Sequence, residues 1–548
     1  MFSFSRLFLC LFLFCAKFLF AQNESRYFVE FKDKKSSRYS LAKPQNFLSA
    51  KALQRREIQK VSLDSTDLPI SEIYLKNLLP FIQKPLGSSK WLNGVLVVLS
   101  SKSELVQIQT SIGVKAIHYL GANPQHQTTD STGYFYQRYL DESFSKETRD
   151  SNLYGLSLKQ ITQLKEDKLH QKGLTGKGMT VAVLDAGFKN VNKLKAFTHL
   201  YARGLVRGSR DLLAADTNVY DDDDHGTHVF SCLAAADSGF MMGSAPDATY
   251  WLIRTEDAAN ESPAEEIYWA MGAELADSLG VDVISASLGY TTFDETELNH
   301  SPEQLNGHTT WAARAASMAV KKGILVCVSN GNEGNGTWQY CGTPADADGV
   351  VNIGAVDRDG YIAPFSSIGF GKSGPNPDLV AMGEGTLTAT AEGTYRKGNG
   401  TSYAAPLLCG AIVSLKSGYP KLGNDSLINI VKKASNHYAF PCEKYGSGIP
   451  DMNAAWMMAT GLKDTLIALE YDETLKGITL IFHSSVAGEF DFKFYKKGET
   501  QSMDKTPMKA GYNHFFIEDT KGEGHGIYEA KIDFGEKKWT GKLEFWEW

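Results

Sequence analysis

Apolar and polar positions are spaced along this chain in four different ways. Near the N-terminus Tyr27-Phe-Val-Glu-Phe31 alternates as a half-buried strand does, and Ser49 to Lys60 has helical character. Val95-Leu-Val-Val-Leu99 is a continuous apolar run, followed by a predicted helix around Glu104 to Ile112 and a strand over Val114 to Tyr119. That succession predicts a compact α+β unit. From Gly121 to Asn152 periodicity is lost among Gln, Thr, Ser and Asp, which predicts an exposed linker. From Leu156 to Gly461 short apolar runs (Met179 to Leu184, Val281 to Ser285, Ile324 to Val328, Val350 to Ile353) alternate with helix-length segments. Strands covered by helices on both faces read this way, so an α/β domain with a mostly parallel sheet is expected. Residues 465–548 return to alternation, as in Glu489-Phe-Asp-Phe-Lys-Phe494, with glycine-containing turns. A small antiparallel β domain follows from that pattern.

Composition narrows the class. A chain of 548 residues exceeds one ordinary domain, and 43% hydrophobic with 22% charged residues is the balance of a soluble globular protein. A net charge of -7, mild for this length, argues against a nucleic-acid binder that works by neutralising phosphates. Met1 to Ala21 has one early cation, Arg6, then a Leu/Phe run ending in Phe20-Ala21-Gln22, the layout of a cleavable export signal. Lys17 interrupts that run and leaves too few apolar residues for a span of about 20. The mature chain is therefore expected outside the cell, without a transmembrane segment. Cys10 and Cys15 fall in the signal; Cys232, Cys327 and Cys409 lie in apolar runs and read as buried thiols. Cys341 and Cys442 lie in polar loops, which leaves a disulfide between them open.

Three segments carry candidate chemistry. Val181-Ala-Val-Leu-Asp185-Ala-Gly187 is an apolar strand ending on a carboxylate. His225-Gly-Thr-His228 opens a helix-like stretch, and Gly398-Asn-Gly-Thr-Ser402-Tyr-Ala-Ala-Pro406 is a glycine-rich turn running into an apolar helix. Singly, the Asp reads as a cap, the Ser as an N-cap, and His-x-x-His as half a metal site. Together they supply an acyl-transfer constellation. A serine hydroxyl needs a base, the base needs an orienting carboxylate, and a helix N-terminus offers an N–H to the developing oxyanion.

The order Asp, His, Ser, with Asp-x-Gly, His-Gly-Thr-His and Gly-Thr-Ser-x-Ala-x-Pro, resembles the subtilisin family of serine peptidases. The resemblance implies a subtilisin-like three-layer α/β fold over residues 156–461 and a triad of Asp185, His225 and Ser402. Ser329-Asn-Gly-Asn-Glu-Gly334 resembles the family's oxyanion segment, where two Asn compete and the Gly-Asn-Glu-Gly pattern selects Asn332. Ser287, Leu288 and Gly289 resemble the strand that pairs with substrate, and with Ser329, Asn330 and Gly331 they are expected to line the specificity pocket. Ser285 stands where the family usually has Asn. No cofactor is implied for the chemistry. The run Asp221-Asp-Asp-Asp224 is a candidate for structural calcium as well as for a solvated loop, and His228 is expected to face away from the site.

The flanks extend the resemblance. A signal (1–21), an α+β unit (22–121), a linker with a processing site (122–155) and a peptidase domain resemble a secreted zymogen whose own propeptide is its inhibitor. Protein or peptide substrates are implied. The C-terminal unit (465–548) resembles the β-sandwich of bacterial type IX secretion substrates, without their Pro-Asn-Pro opening. The rival to a peptidase is a catalytically idle, subtilisin-fold binding protein at the cell surface; it predicts a substituted triad or oxyanion Asn, and none of the four is replaced.

Overall fold

The computed structural model describes residues 24–123, 143–144, 152–518, 526–533 and 538–545, less Ser36, Lys372, Ser373, Pro375, Asp464, Glu473, Lys497 and Gly498. The expected signal and most of the linker lie outside the described residues.

The central sheet has seven strands: β5 (Thr180–Asp185), β6 (Val206–Asp211), β7 (Thr249–Arg254), β8 (Val283–Ala286), β9 (Leu325–Ser329), β10 (Val351–Val356) and β11 (Leu379–Met382). Their order is β11-β10-β9-β8-β5-β7-β6, and every pairing is parallel. Alternate residues of one strand feed two cores. Val181 and Val183 of β5 join α2 (His225–Ala234) and α5 (Thr401–Gly418) on one face. Ala182 and Leu184 join α3 (Ala264–Leu279) and α4 (Trp311–Lys321) on the other. This three-layer arrangement is the subtilisin-like fold. The chain leaves β5 for β7 and β6 on one side and for β8 to β11 on the other, so the order reverses at β5. In parallel sheets a crevice opens beyond the strand ends at such a switch point.

Before this domain, β1 (Ser25–Phe31), β2 (Lys84–Ser89), β3 (Gly94–Leu99) and β4 (Val114–Ala122) form an antiparallel sheet in the order β2-β3-β1-β4. One face packs on its own helices. The other brings Phe28, Trp91, Leu96 and Leu120 against α3 and α4, so this unit shares a core with the outer helices of the large domain. The ring of Phe28 meets that of Trp311 edge-on at 5.2 Å.

Ion pairs reinforce the seam. Asp277 of α3 is fully buried and accepts from Arg55 (2.5 Å) and Arg56 (2.8 Å) of α1 (Ala50–Gln59) and from Lys90 (3.0 Å). Burial alone would raise the Asp277 pKa, but the three cations lower it. Replacing Asp277 by Ala leaves Arg55 and Arg56 buried without that counter-charge. Chemical unfolding of the full chain is expected to show a loss of about 3–5 kcal/mol. A loss below about 1 kcal/mol, the worth of an exposed pair, would remove the cluster from its anchoring role.

The C-terminal strands form two antiparallel sheets. Thr465–Asp472, Gly477–Ser484 and Gly511–Glu518 make one; Gly488–Lys496, Glu499–Met508, Gly526–Asp533 and Lys538–Phe545 make the other. Phe482 and Phe490 join them at 5.2 Å. Ile467, Ala468 and Ile481 belong to the same apolar cluster as Ala454, Ala455 and Met458 of the preceding helix and Val413 and Leu415 of α5.

The five cysteines outside the expected signal are free thiols. A Cys341–Cys442 disulfide is not formed: both are free thiols, Cys341 buried in the core and Cys442 exposed.

Candidate active site

Two glycines explain how Asp185 and His225 come together. Gly226 lies so close to the turn after β5 that a Cβ there would fall 2.2 Å from the Gly187 carbonyl oxygen; one on Gly187 would fall 2.6 Å from that of Asp223. Any larger residue would force the two loops apart. With both glycines in place, Asp185 Oδ1 accepts from Ala186 N at 2.8 Å and lies 2.7 Å from His225 Nδ1. His225 is the first residue of α2, and its own N–H donates to Asp223 Oδ1 at 2.7 Å. The opposite ring nitrogen, Nε2, is buried without a hydrogen-bond partner.

Burial disfavours the charged imidazolium, yet the Asp185 carboxylate, its hydrogen bond, and the charges of Asp223 and Asp224 outweigh it. The His225 pKa is raised from 6.5 to about 9. Complete burial pushes the Asp185 carboxyl upward while His225 pulls it down. The net effect raises the Asp185 carboxyl above its ordinary value, and the charges of Asp223 and Asp224 favour the protonated ring.

Ser402 is the second residue of α5, where backbone N–H groups have no partner inside the helix. Its hydroxyl donates to the carbonyl of Ser287 at 3.3 Å, and Ser287 Oγ donates back to the Ser402 carbonyl at 2.9 Å. The hydroxyl thus rests on the segment leaving β8 and makes no hydrogen bond to His225 Nε2.

The two competing asparagines separate cleanly. Asn330 is fully buried, with its side-chain N–H2 on the Ser367 carbonyl. Asn332 Oδ1 accepts from the backbone N–H (2.9 Å) and the hydroxyl (3.0 Å) of Thr401. Two donors on one atom identify it as the oxygen, so the N–H2 points away from Thr401 and has no partner among the described residues. Gly331 between them has φ +110°, and a Cβ would lie 2.8 Å from Ser367 Oγ. Thr401, which pattern reading passed over, also accepts from Gly331 N at 3.2 Å and so ties this loop to the start of α5. Its position beside Ser402 in Gly-Thr-Ser was the available signal.

Ser287, Leu288 and Gly289 leave the end of β8, and Ser329, Asn330 and Gly331 lie at the end of the adjacent β9. Ser287, Leu288, Ser329 and Asn330 are buried and Gly289 and Gly331 are partly exposed. Ser285 Oγ is buried without a hydrogen-bond partner.

His228 is fully buried, with Nδ1 2.9 Å from Thr388 Oγ1 and Nε2 3.0 Å from an Arg396 nitrogen. The four carboxylates of Asp221–Asp224 diverge. They meet Asn218, Arg254, the His225 N–H and His228 in turn. Among the described residues no group of three or more His, Cys, Asp or Glu is placed to hold a metal ion.

Known proteins resemble this chain over the same region. Residues 176–450 match the family model for peptidase S8, the Subtilase family, and residues 26–133 match the peptidase S8 propeptide domain of Bacteroidota. Subtilisin NAT of Bacillus subtilis subsp. natto is 30% identical over 322 residues, covering 58% of this chain and 74% of that protein. Subtilisin Savinase of Lederbergia lenta is 29% identical over 296 residues, covering 54% of this chain and 97% of that protein. Among the described residues no helix is long and apolar enough to cross a membrane.

Proposed function

The chain belongs to the subtilase family and is a serine-type endopeptidase; from that premise we propose that Asp185, His225 and Ser402 are its catalytic triad and that it is exported as a zymogen. The observation that carries the reading is the 2.7 Å contact of Asp185 with His225 Nδ1, beside a buried, unpartnered Nε2. Nε2 takes the Ser402 proton as Oγ attacks the peptide carbonyl, and Asp185 holds the ring and the cation that forms. The Asn332 amide and the Ser402 N–H stabilise the oxyanion. His225 returns the proton to the leaving amine, and water, activated by the same nitrogen, hydrolyses the acyl-enzyme. The extended segments at Ser287–Gly289 and Ser329–Gly331 receive the substrate on either side of the pocket. The N-terminal α+β unit acts as inhibitor until it is cut away within 122–155, and residues 1–21 direct export. The match to a peptidase S8 propeptide over residues 26–133 supports the zymogen part.

The test is a serine-directed fluorophosphonate applied to the chain expressed from Gln22, read by peptide mass mapping together with casein hydrolysis. Label on Ser402 with casein cleavage is expected. An unlabelled Ser402 in a chain that leaves casein intact would point to the idle binding protein. The labelling rate also has a predicted pH dependence. Only the neutral ring accepts a proton, so a pKa raised from 6.5 to about 9 moves the rising limb to alkaline pH. The stability contribution has the opposite sense: it is full below about 6.5 and fades as pH rises through about 9. A limb centred at or below the ordinary histidine value would show that the carboxylates do not govern His225.

A further inference from the structure

Arg254 has no part in the triad, yet it touches the supports of two triad members. It closes β7, opposite Asp185 in the parallel register of β7 on β5. Its Nε donates to the Ala186 carbonyl at 2.9 Å, on the residue directly after Asp185. Its Nη1 donates to Asp211 Oδ2 at 2.8 Å and lies 3.3 Å from Asp222 Oδ2. Asp211 is itself fixed, with its other oxygen accepting from Leu213 N and Ala214 N at 2.8 and 2.9 Å. Asp222 belongs to the acidic run that leads into His225, and the next residue, Asp223, holds the His225 N–H. One guanidinium therefore spans three loops. Asp211 anchors it at the sheet edge, and from there it holds the turn that carries Asp185 and the loop that delivers His225.

We propose that Arg254 is a positioning residue that sets the Asp185–His225 geometry through the Ala186 carbonyl and Asp222. This rests on the triad proposed above. The acidic run thereby acquires a role: its carboxylates bind protein donors around His225. A guanidinium suits the position because its donors lie in one plane and point along separate directions, whereas an ammonium offers a single compact charge on a flexible stem. At 13% and 2% side-chain exposure the Arg254–Asp211 pair is shielded from most screening, while Asp222 is 38% exposed.

The test compares wild type, Arg254→Met, Arg254→Lys, Asp222→Asn and the Arg254→Met/Asp222→Asn double variant as full chains. The readouts are kcat and KM on a peptide ester, Ser402 label stoichiometry and the thermal unfolding midpoint. Arg254→Met is expected to lower kcat about 10- to 100-fold, the scale of small misplacements of catalytic groups, with KM nearly unchanged. Arg254→Lys recovers only part of that rate. Asp222→Asn loses less than Arg254→Met, because the Ala186 contact remains, and the double variant matches Arg254→Met because Asp222 acts only through Arg254. Wild-type kcat in a folded Arg254→Met, a loss confined to KM, or losses that multiply in the double variant would each overturn the proposal. Should Arg254→Met fail to fold, wild-type kcat in both Arg254→Lys and Asp222→Asn would overturn it as well. A wild type that neither labels nor hydrolyses refutes the triad itself, an outcome distinct from a healthy wild type with indifferent variants.

Discussion

Ser402→Ala is expected to give a folded chain that keeps its N-terminal unit and leaves casein intact, with kcat reduced by about six orders of magnitude, as loss of the nucleophile does in subtilisin. The fold has little reason to object. Ser402 Oγ makes a single hydrogen bond, to the Ser287 carbonyl, and the reciprocal bond from Ser287 Oγ to the Ser402 carbonyl remains. The stability cost is therefore about 1 kcal/mol. Chemistry loses far more, because the attacking atom is gone while Asn332 and the helix N-terminus can still polarise a carbonyl. That residue of catalysis is what the oxyanion donors provide alone. Intact mass and casein hydrolysis over the same time course check both halves. Hydrolysis within tenfold of wild type would transfer the nucleophile's role to another group.

Asp185→Asn is expected to lower kcat by about four orders of magnitude while the fold survives. Asp185 Oδ1 accepts from both Ala186 N and the His225 ring, and Oδ2 is buried without a partner. An amide in this position has two poor choices. With its oxygen on Ala186 N, it buries an N–H2 that finds no acceptor at the Oδ2 site. Turned over, it directs N–H toward the ring, so Nδ1 must accept and the proton moves to Nε2, the wrong tautomer for a base. Either way His225 loses the charge that most offsets its burial, and its pKa falls. The rising limb of activity should thus shift to lower pH as the maximum collapses. A variant retaining both the wild-type maximum and its limb would show that Asp185 does not orient His225.

Much of this architecture was legible because the strands that carry the site are buried on both faces. Thr180–Asp185 and Leu325–Ser329 read as apolar runs since each feeds two cores. The strand Val206–Asp211 escaped notice: it lies at the sheet edge, and its Arg-Gly-Ser-Arg interior is only partly covered. Lys84–Ser89 was hidden by Pro85 and Gly87, which an edge strand tolerates. At the site, residue types and order were enough to nominate Asp185, His225 and Ser402, and the Gly-Asn-Glu-Gly pattern pointed to Asn332 over Asn330. What the pattern could not convey was which polar atoms face each other across loops. The supports from Thr401 to Asn332 and from Arg254 to Ala186 and Asp222 depend on a fold that brings together segments far apart in the chain. The divergence of Asp221–Asp224 was hidden for the same reason, since four adjacent carboxylates look alike until their partners are known.

The apolar cluster behind Ser402 has a consequence for timing. It takes members from α5 and, much later in the chain, from Ile467, Ala468 and Ile481. During synthesis those strands emerge after the whole triad already exists. Until they arrive, the apolar cluster that Met452–Ala459 shares with α5 lacks Ile467, Ala468 and Ile481. A chain truncated before Thr465 is therefore expected to keep the proposed triad but lose part of the apolar support behind α5. Loss of Ile467, Ala468 and Ile481 would thus be felt through Met452–Ala459 at the far side of α5 and not at the proposed triad directly.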